Sequence, residues 1–515
     1  MDISKQQNAV AVEDGAPPGM DAMDTGGGRN WWLILAGPVV AFVLTLLLPG
    51  SLTFEARAIA GIAIWMALWW MTEAVPIPAT SLLPLILFPL VGAGTLEEVA
   101  SPYANSVIFL VLGGVILGLA TQKSNLHLRV ALLTIKIVGT KPAQIVLGLM
   151  IASAFISMWV SSTATAVIMV PIASSIIQLV RKVDSRAAGK KFSAAMILGV
   201  GYGVTMGSMA TIIGQPPMAL MTAYLRESHS FEIGFGQWMI VGVPFALVMT
   251  AACWLVLTKI VFRPEMNDIP GGDELIRKEH RNLGSMRTAE KRIALVFLVA
   301  IFFWVAVPFI AEISVIQDYL PFLESISDAQ VAIAAAMACF IVPAEKRRDN
   351  PKSGALLTWS ATREVPWGLL LLFGGGLSLS AMFTATGLSE WVGTQVSGLS
   401  LLPGWAIVLA VIIVGLALTE LTSNTATAAA FFPIFGAVAV AVGVDPLIMT
   451  IAVALAVCSA YMLPVATPSN AVAFGSGEIT IKQMVRAGVW MNMISIVMIM
   501  IVLHTLVPLA FNVSL

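Results

Sequence analysis

Two nearly identical stretches lie far apart in this chain: residues 161–166 read Ser-Ser-Thr-Ala-Thr-Ala, and residues 423–428 read Ser-Asn-Thr-Ala-Thr-Ala. Each stretch lies within a long apolar run. Each is followed by a proline ten residues after its first serine, Pro171 in the first copy and Pro433 in the second. The second copy follows the first by 262 positions, so the sequence contains a duplicated unit, which constrains every later inference about the fold.

The spacing around the two stretches is repeated as well. A glycine pair begins 48 residues before each first serine, at Gly113 and at Gly375. Downstream, each copy has a segment interrupted by proline, 214–217 (Gly-Gln-Pro-Pro) and 466–469 (Ala-Thr-Pro-Ser). Because these features keep their order in both copies, the duplicated unit extends well beyond the stretch itself.

Composition indicates the class of protein. Of the 515 residues, 58% are hydrophobic and only 11% are charged, and the mean hydropathy is +0.91. Soluble domains carry about 25% charged residues, so the chain is predicted to be an integral membrane protein. The three cysteines lie inside apolar runs and indicate neither a disulfide framework nor a metal site. Residues 1–30 are polar, acidic and contain Gly and Pro, which is typical of a disordered cytoplasmic tail.

The positions of lysine and arginine indicate how the chain is threaded through the membrane. Residues 142–180 and 403–441 contain the duplicated stretches, and we interpret both as re-entrant hairpins that enter and leave by the same face. With that threading, 26 of the 28 Lys and Arg residues lie on one side, all except Arg57 and Arg226. Full crossings at these segments would place basic loops on both faces, against the positive-inside rule. The prediction is an all-α polytopic membrane protein with about eleven transmembrane helices, two re-entrant hairpins and a cytoplasmic N-terminus.

The two halves are predicted to run in opposite directions through the membrane. Five crossings separate the helices that carry the glycine pairs, so the hairpin at 142–180 enters from the cytoplasm and the one at 403–441 from outside. The first half covers residues 31–262 and the second residues 293–515, joined by a charged cytoplasmic linker at 263–292. Inverted repeats with discontinuous helices that meet at mid-membrane are typical of secondary transporters.

The chemistry of the hairpin tips favours ion binding. At each tip one half-helix ends and another begins, near Thr163 and near Thr425, which leaves backbone N–H and C=O groups without helical partners. Helix starts and hydroxyls suit an anion such as a carboxylate, and carbonyl ends suit Na⁺. Neither tip contains Arg or Lys, so helix dipoles and bound cations must offset the charge of an anion. The alternative is close helix packing through small residues; we assign that role to Gly113 and Gly375, whereas duplication beside a proline break favours a binding site at the tips.

Other functions find less support. Three of the four histidines lie in loops or interfaces, so a membrane Ser/His hydrolase has no convincing base, and the chain is predicted not to be an enzyme. An anion channel would need a continuous pore, which two opposed hairpins closing on one site argue against. Glu420 is a carboxylate at membrane depth in the second hairpin, and either a functional role or a structural hydrogen bond fits it.

At these residues the sequence resembles the divalent-anion:sodium symporter family, which comprises secondary transporters of di- and tricarboxylates and sulfate. The resemblance covers nearly everything after residue 30. It depends on residues 423–425 (Ser-Asn-Thr), which match the family's Ser-Asn-Thr tip, with 161–163 (Ser-Ser-Thr) as their counterpart. It implies a homodimer in the plasma (inner) membrane, with scaffold and transport domains, that moves its substrate by an elevator-like motion with Na⁺ as co-ion.

The resemblance also assigns binding residues. The substrate would lie between the two tips, and one sodium site would lie in each half. The residues implied for the substrate are Ser162, Thr163, Pro216, Asn424, Thr425, Thr467 and Pro468. Those implied for sodium are Ser157, Ser161, residue 162 and Gly214 in the first site, and Thr419, Thr422, Asn424 and Ala466 in the second.

The first repeat departs from the family pattern. Ser162 stands where the family has Asn, Gln215 where it has a small Ser or Thr, and Met218 where it has Asn. The second repeat keeps Asn424, with Ser469 replacing a proline. We hypothesise that Gln215 supplies the amide missing at residue 162 and reaches the same substrate carboxylate.

Together, the tips and the resemblance predict a Na⁺-coupled importer of C4-type dicarboxylates such as succinate, malate or fumarate. The departures in the first repeat leave open a sodium-independent dicarboxylate exchanger, or an importer of sulfate or another organic anion, on the same fold. The predicted partners are a small anionic substrate, sodium and the membrane, with no nucleic acid.

Overall fold

The computed structural model describes residues 31–139, 141–183, 189–263, 284–311, 313–345, 354–396, 398 and 401–513. Within these ranges the regular structure is helical, apart from one isolated bridge between Pro343 and Ala355. Among the described residues, seven helices are long and apolar enough to cross a membrane, and seven shorter apolar helices of 10–17 residues accompany them. The all-α polytopic class is confirmed, while the count of eleven crossings stays a prediction. The predicted tail at 1–30 and most of the predicted linker at 263–292 lie outside the described residues.

The first half is a series of apolar helices whose starts are marked by capping residues. A Thr or Asn side chain caps three of them, and a proline begins two others, as helix starts favour. In chain order they are α1 (Trp31–Leu47), α2 (Phe54–Thr72), α3 (Ile77–Thr80), α4 (Leu83–Leu90), α5 (Leu96–Ala100), α6 (Ser106–Lys123), α7 (Leu126–Val138), α8 (Pro142–Ser157), α9 (Ser162–Val183), α10 (Lys190–Ser208), α11 (Pro216–His229) and α12 (Phe235–Leu255, continued by a π-helix at Val256–Val261).

The second half repeats this organisation. Its first helix begins at Thr288, inside the range predicted as linker. In chain order the helices are α13 (Thr288–Ala311), α14 (Ser314–Tyr319), α15 (Asp328–Ile341), α16 (Trp367–Ala385), α17 (Leu388–Gln395), α18 (Gly404–Thr419), α19 (Asn424–Val442), α20 (Pro446–Val457), α21 (Pro468–Gly475), α22 (Ile481–His504) and α23 (Leu506–Phe511).

Both predicted hairpins are interrupted at the duplicated stretch. Residues 158–161, between α8 and α9, form the first tip, and residues 420–423, between α18 and α19, form the second tip. α8 and α18 each have 16 residues. A helix of that length spans about 24 Å, less than the ~30 Å of the hydrocarbon core, so neither could cross the membrane alone. The predicted interruptions are confirmed, and entry from opposite faces stays a prediction.

Two further helices are interrupted over longer segments than the sequence predicts. Residues 209–215 separate α10 from α11 (break 1), and residues 458–467 separate α20 from α21 (break 2). Break 1 begins five residues, and break 2 eight residues, before the segments predicted from the prolines. In both breaks the proline occupies the first position of the following helix, where its missing N–H is tolerated. The prolines therefore mark where the second helix starts, and no local signal marks where the first one ends.

One glycine of each pair packs closely against the other half of the chain. Gly113 on α6 lies against Ala332 on α15, and a Cβ at Gly113 would be 2.5 Å from the Ala332 carbonyl carbon. Gly375 on α16 lies against Ser81, whose carbonyl oxygen would be 2.5 Å from a Cβ there. Each glycine faces backbone of the other half, so the predicted role in helix contact is confirmed.

A second set of glycines lines α10. Gly199, Gly203 and Gly207 recur every four residues, so they share one face, which packs on Met150 and Ala154 of α8. A Cβ at Gly207 would lie only 2.1 Å from the Ala154 carbonyl oxygen. Small residues at this spacing let two membrane helices approach closely. Our predictions omit this stripe, although its spacing is visible in the sequence.

Candidate functional site

All eight predicted substrate-binding residues lie at the N-termini of four helices. Each is the N-cap or one of the first two residues of its helix. Free backbone N–H groups and the positive end of the helix dipole favour a negatively charged ligand at such positions. By helix they are Ser162 and Thr163 (α9), Gln215 and Pro216 (α11), Asn424 and Thr425 (α19), and Thr467 and Pro468 (α21).

α11 and α19 lie side by side and run in the same direction. Leu220 and Ala429 both flank Gly376, and about one turn later Tyr224 stacks on Phe432 with ring centroids 5.7 Å apart. Successive turns of α11 therefore meet successive turns of α19 in the same order. Since Leu220 and Ala429 are each about one turn from the start of their helix, the two N-termini lie next to each other.

The complementary pair of helices is α9 with α21. α21 packs against both α9 and α10, and Thr205 Oγ1 of α10 lies 2.9 Å from Ser469 Oγ of α21. Arg181 near the end of α9 forms a 2.5 Å ion pair with Glu478, which follows α21. Each short helix after a break therefore lies against the hairpin helix of the other half, so both halves contribute to the site.

Two equivalent hydrogen bonds fasten the hairpins to the interrupted helices. Ser157, the last residue of α8, donates from Oγ to Val204 O at 2.7 Å, and Thr419, the last residue of α18, donates from Oγ1 to Val457 O at 2.7 Å. Ser157 and Thr419 occupy matching positions of the repeat, and both are buried. Both are predicted sodium ligands, and their hydroxyl oxygens lie near the carbonyl ends of helices, where transporters coordinate Na⁺.

The residues predicted for the second sodium site take part in two pairs of closely spaced oxygens. Thr419 Oγ1 lies 2.6 Å from Asn424 Oδ1, and Thr422 Oγ1 lies 2.7 Å from Thr427 Oγ1. Ala466, the remaining predicted ligand, is buried in break 2. Hydroxyl, amide and carbonyl oxygens are hard ligands of the type that Na⁺ needs, so the chemistry of this set suits the ion.

The first tip has a sparser set of side-chain hydrogen bonds within the described residues. Ser161 Oγ accepts from Ala164 N, in the first turn of α9, at 3.3 Å. Val160 stands at the position that Thr422 occupies in the second repeat. The buried Thr165 Oγ1, whose counterpart is Thr427, has no hydrogen-bond partner in the described part of the chain. The two predicted sodium sites are therefore unequal in their local structure.

Gly214 and Gln215 complete the first-half part of the site. A Cβ at Gly214 would lie 2.2 Å from Ser208 O, so break 1 folds back tightly on the end of α10. Gln215 is 5% exposed, and its Nε2 donates to Thr205 O at 3.3 Å. That bond uses one of the two N–H groups of the amide. The amide lies beside the start of α11, and its contact with substrate stays a prediction.

The predicted substrate residues differ in how accessible their side chains are. Gln215 and Thr467 are buried, and Thr467 Oγ1 already accepts from Asn470 N at 3.1 Å as the cap of α21. The side chains that remain available to a ligand come mainly from the starts of α9 and α19. Those that are exposed or half-buried are Ser162, Thr163, Pro216, Asn424, Thr425 and Pro468.

Trp159 anchors the first tip. Its side chain is 7% exposed, and its ring stacks on Phe235 of α12 at 6.1 Å and meets Phe297 of α13 edge-on at 5.2 Å. Leu421, at the matching position of the second tip, is 71% exposed. The two tips therefore interrupt their hairpins in the same way, but the residue at this position is buried in the first tip and exposed in the second. Our predictions omit Trp159, because its partners are distant in the sequence.

Comparison with known proteins agrees with these features. The family described as "Sodium:sulfate symporter transmembrane region" matches residues 28–510. A sodium-dependent dicarboxylate transporter, SdcS, of Staphylococcus saprophyticus subsp. saprophyticus is 41% identical over 481 residues, which cover 92% of this chain and 91% of that protein. The protein of the same name from Staphylococcus aureus strain USA300 is 39% identical over 487 residues, covering 93% and 92%.

A solved structure supports the fold alone. The YdaH transporter of Alcanivorax borkumensis superposes with a TM-score of 0.57 at 15% sequence identity, covering 94% of this chain and 98% of that one. The family match spans both interrupted hairpins and both breaks. The chain therefore belongs to the sodium:sulfate symporter family, the divalent-anion:sodium symporters that its two hydroxyl-rich tips resemble.

Proposed function

We propose that this protein is a secondary active transporter that imports C4-type dicarboxylates, such as succinate, malate and fumarate, together with Na⁺. The observation that carries the proposal is that all eight substrate residues lie at the N-termini of four helices. These helices form two pairs, α9 with α21 and α11 with α19, and each pair joins one helix from either half. Two such pairs suit an anion with two separated carboxylates. Relatives that are 39–41% identical over more than nine-tenths of the chain, and are named sodium-dependent dicarboxylate transporters, support the choice of substrate and co-ion.

In this proposal the helix N-termini bind the substrate and the helix C-termini bind sodium. The helix starts and the amides of Asn424 and Gln215 would hold the carboxylates, because donors and positive dipole ends are concentrated there. Sodium would bind among hydroxyl and carbonyl oxygens near the helix ends. The proposed ligands are Ser157, Ser161 and Gly214 in the first half, and Thr419, Thr422, Asn424 and Ala466 in the second.

The arrangement in the membrane is part of the same proposal. The halves 31–262 and 293–515 would form inverted repeats in the inner membrane, with a cytoplasmic N-terminus and hairpins entering from opposite faces. Two observations support this arrangement. The first helices of the two hairpins, α8 and α18, are both short. Their last residues, Ser157 and Thr419, make matching hydrogen bonds. Transport would proceed by an elevator-like motion in a homodimer.

Reconstituted protein provides the direct test. We expect saturable uptake of labelled succinate into liposomes under an inward Na⁺ gradient, and background uptake when K⁺ replaces Na⁺. Malate and fumarate should compete, and protein-free liposomes serve as the control. Flux that does not saturate, or that shows no acceleration by unlabelled substrate on the opposite side, would contradict a carrier.

The departures in the first repeat favour one second candidate on the same fold. Ser162 and Gln215 replace residues that the family uses beside the first sodium site. A dicarboxylate exchanger without sodium, or an importer of sulfate or another organic anion, would fit a weakened first site. Counterflow that is unchanged without Na⁺, or uptake of sulfate that succinate does not inhibit, would favour that candidate.

Gln215→Ala tests the amide in the first half. We expect a ten- to hundredfold loss of succinate affinity, because a hydrogen bond to a charged group contributes about 1.5–3 kcal/mol. The measurement is the concentration of succinate for half-maximal uptake at saturating Na⁺. Met218→Ala, three residues after Gln215 and inside α11, is the matched control and should leave that concentration nearly unchanged. Affinity equal to that of the unaltered protein would show that Gln215 serves only its bond to Thr205.

A further inference from the structure

Glu420 is a buried carboxylate that binds backbone rather than a basic side chain. It follows the last residue of α18 and is 6% exposed. Its Oε1 accepts from Tyr461 N at 2.9 Å and Met462 N at 3.0 Å, and its Oε2 accepts from Leu463 N at 3.2 Å. Asn492 on α22 donates from Nδ2 to Oε1 at 2.7 Å. Of the two roles that the sequence leaves open for Glu420, the structure shows a hydrogen-bonding one.

These bonds hold the second tip against break 2. The backbone N–H groups of residues 461–463 in break 2 have no helical partner in the described part of the chain, and buried groups of this kind must be paired. Glu420 accepts hydrogen bonds from these three consecutive N–H groups. Asn470 fastens the same segment from its other side, since its Nδ2 donates to Ala460 O and to Leu463 O at 3.2 Å each. Side chains therefore bond both the backbone N–H groups and the backbone carbonyl oxygens of break 2.

The first half builds the corresponding junction without a carboxylate. Met158 stands at the position that matches Glu420. In the first half the side chain of the break bonds to the backbone of the tip, because Thr211 in break 1 donates from Oγ1 to the Met158 carbonyl oxygen. In the second half the side chain of the tip bonds to the backbone of the break. Since the same backbone plan forms in the first half without an acid, Glu420 is not a general requirement of the fold. Its function must concern what is specific to the second half.

The position of Glu420 relates it to the proposed sodium ligands. It directly follows Thr419 and precedes Thr422 by two residues, and the residues it holds, 461–463, end three positions before Ala466. Its two oxygens already accept several hydrogen bonds, so the carboxylate is not itself expected to bind the ion. It instead determines where the ligands of break 2 lie relative to those of the second tip. A buried negative charge close by also favours a cation.

We infer that Glu420, supported by Asn492, is a positioning residue that pre-organises the second sodium site, and that this site sets the sodium affinity of the protein. This inference rests on the proposed function and goes further, because it assigns unequal roles to the two halves. The second half would bind sodium in a fixed geometry. The first half, with its sparser tip, would adapt to the substrate.

Sodium binding can be measured separately from transport. We expect Glu420→Gln to raise the Na⁺ concentration for half-maximal succinate uptake by roughly tenfold or more, because an amide cannot accept from three N–H groups with both of its ends. The succinate concentration for half-maximal uptake at saturating Na⁺ should change by less than about threefold. Asn492→Ala should shift the Na⁺ dependence in the same direction by a smaller factor. Glu364→Gln, whose ion pair with Lys123 lies outside the tips and breaks, is the matched control and should shift neither.

A second readout distinguishes this inference from the proposed function. The melting temperature of detergent-purified protein, titrated with NaCl against KCl without substrate, reports sodium binding directly. The half-maximal Na⁺ concentration for stabilisation should rise in Glu420→Gln and, to a smaller extent, in Asn492→Ala. If the unaltered protein were stabilised by Na⁺ but transported no succinate, the proposed substrate would be wrong and the inference would stand. An unchanged Na⁺ midpoint in Asn492→Ala and in any folded Glu420→Gln, or an equal loss of affinity for Na⁺ and succinate, would overturn the inference.

Discussion

Replacing Asn424 by alanine is expected to reduce succinate uptake at low sodium and low substrate by at least about a hundredfold. Asn424 is the first residue of α19, and its Oδ1 lies 2.6 Å from Thr419 Oγ1 within the proposed second sodium site. The amide can therefore offer an oxygen to the cation and an N–H to the anion. Loss of both contacts removes two interactions of about 1.5–3 kcal/mol each. The measurement is initial uptake into liposomes over a grid of Na⁺ and succinate concentrations.

Two variants serve as comparisons for Asn424→Ala. Ser162→Ala removes the side chain at the matching position of the first repeat and should reduce uptake by no more than about tenfold, because it removes one neutral hydroxyl. Asn424→Ser gives residues 423–428 the same sequence as residues 161–166, and its uptake should fall between the two. Uptake by Asn424→Ala within about threefold of the unaltered protein would exclude a shared role of the amide in both sites.

Gly207→Val is expected to prevent correct folding. A Cβ at this position would lie 2.1 Å from the Ala154 carbonyl oxygen, and backbone cannot rotate aside as a side chain can. α8 and α10 would have to separate along the glycine face that holds the first hairpin. Overpacking of this kind costs about 3 kcal/mol or more. We expect little monodisperse protein after detergent extraction, and a melting temperature lowered by several degrees in what remains.

Gly475→Val is the control for this prediction. Apart from its own helix, no atom of the described residues lies within 4 Å of a Cβ at Gly475, and its backbone does not require glycine. The substitution adds the same bulk to a helix and should leave yield and melting temperature unchanged. Equal behaviour of the two variants would show that the close contact between α8 and α10 does not limit folding.

The starts of the functional helices could be predicted from the sequence because they carry local signals. Pro216 and Pro468 fit only the first turn of a helix in an apolar run, and each serine-rich stretch is a break followed by a good helix start. The ends of α10 and α20 could not be predicted in the same way. Their last residues are apolar or small like those before them, and the chain leaves the helix because of tertiary contacts.

Long-range contacts explain why the sequence left the role of Glu420 open and gave no role to Trp159. Glu420 binds a segment about 41 residues away and a side chain 72 residues away, and Trp159 packs on helices of a later part of the chain. Hydrophobic periodicity reports only which face of a helix is apolar, so it contains no information on such partners. The duplicated motif predicts where the candidate site lies, whereas the differences between its two copies became interpretable only with the contacts.

The lack of any arginine or lysine in the two tips and two breaks has a thermodynamic consequence. With no fixed positive side chain, the attraction for a dianion depends in part on the sodium ions bound beside it. Anion and sodium must then increase each other's affinity by the same factor, since linkage is reciprocal. A carrier loaded with only one of the two would be sparsely populated, so little of either solute would slip across the membrane without the other.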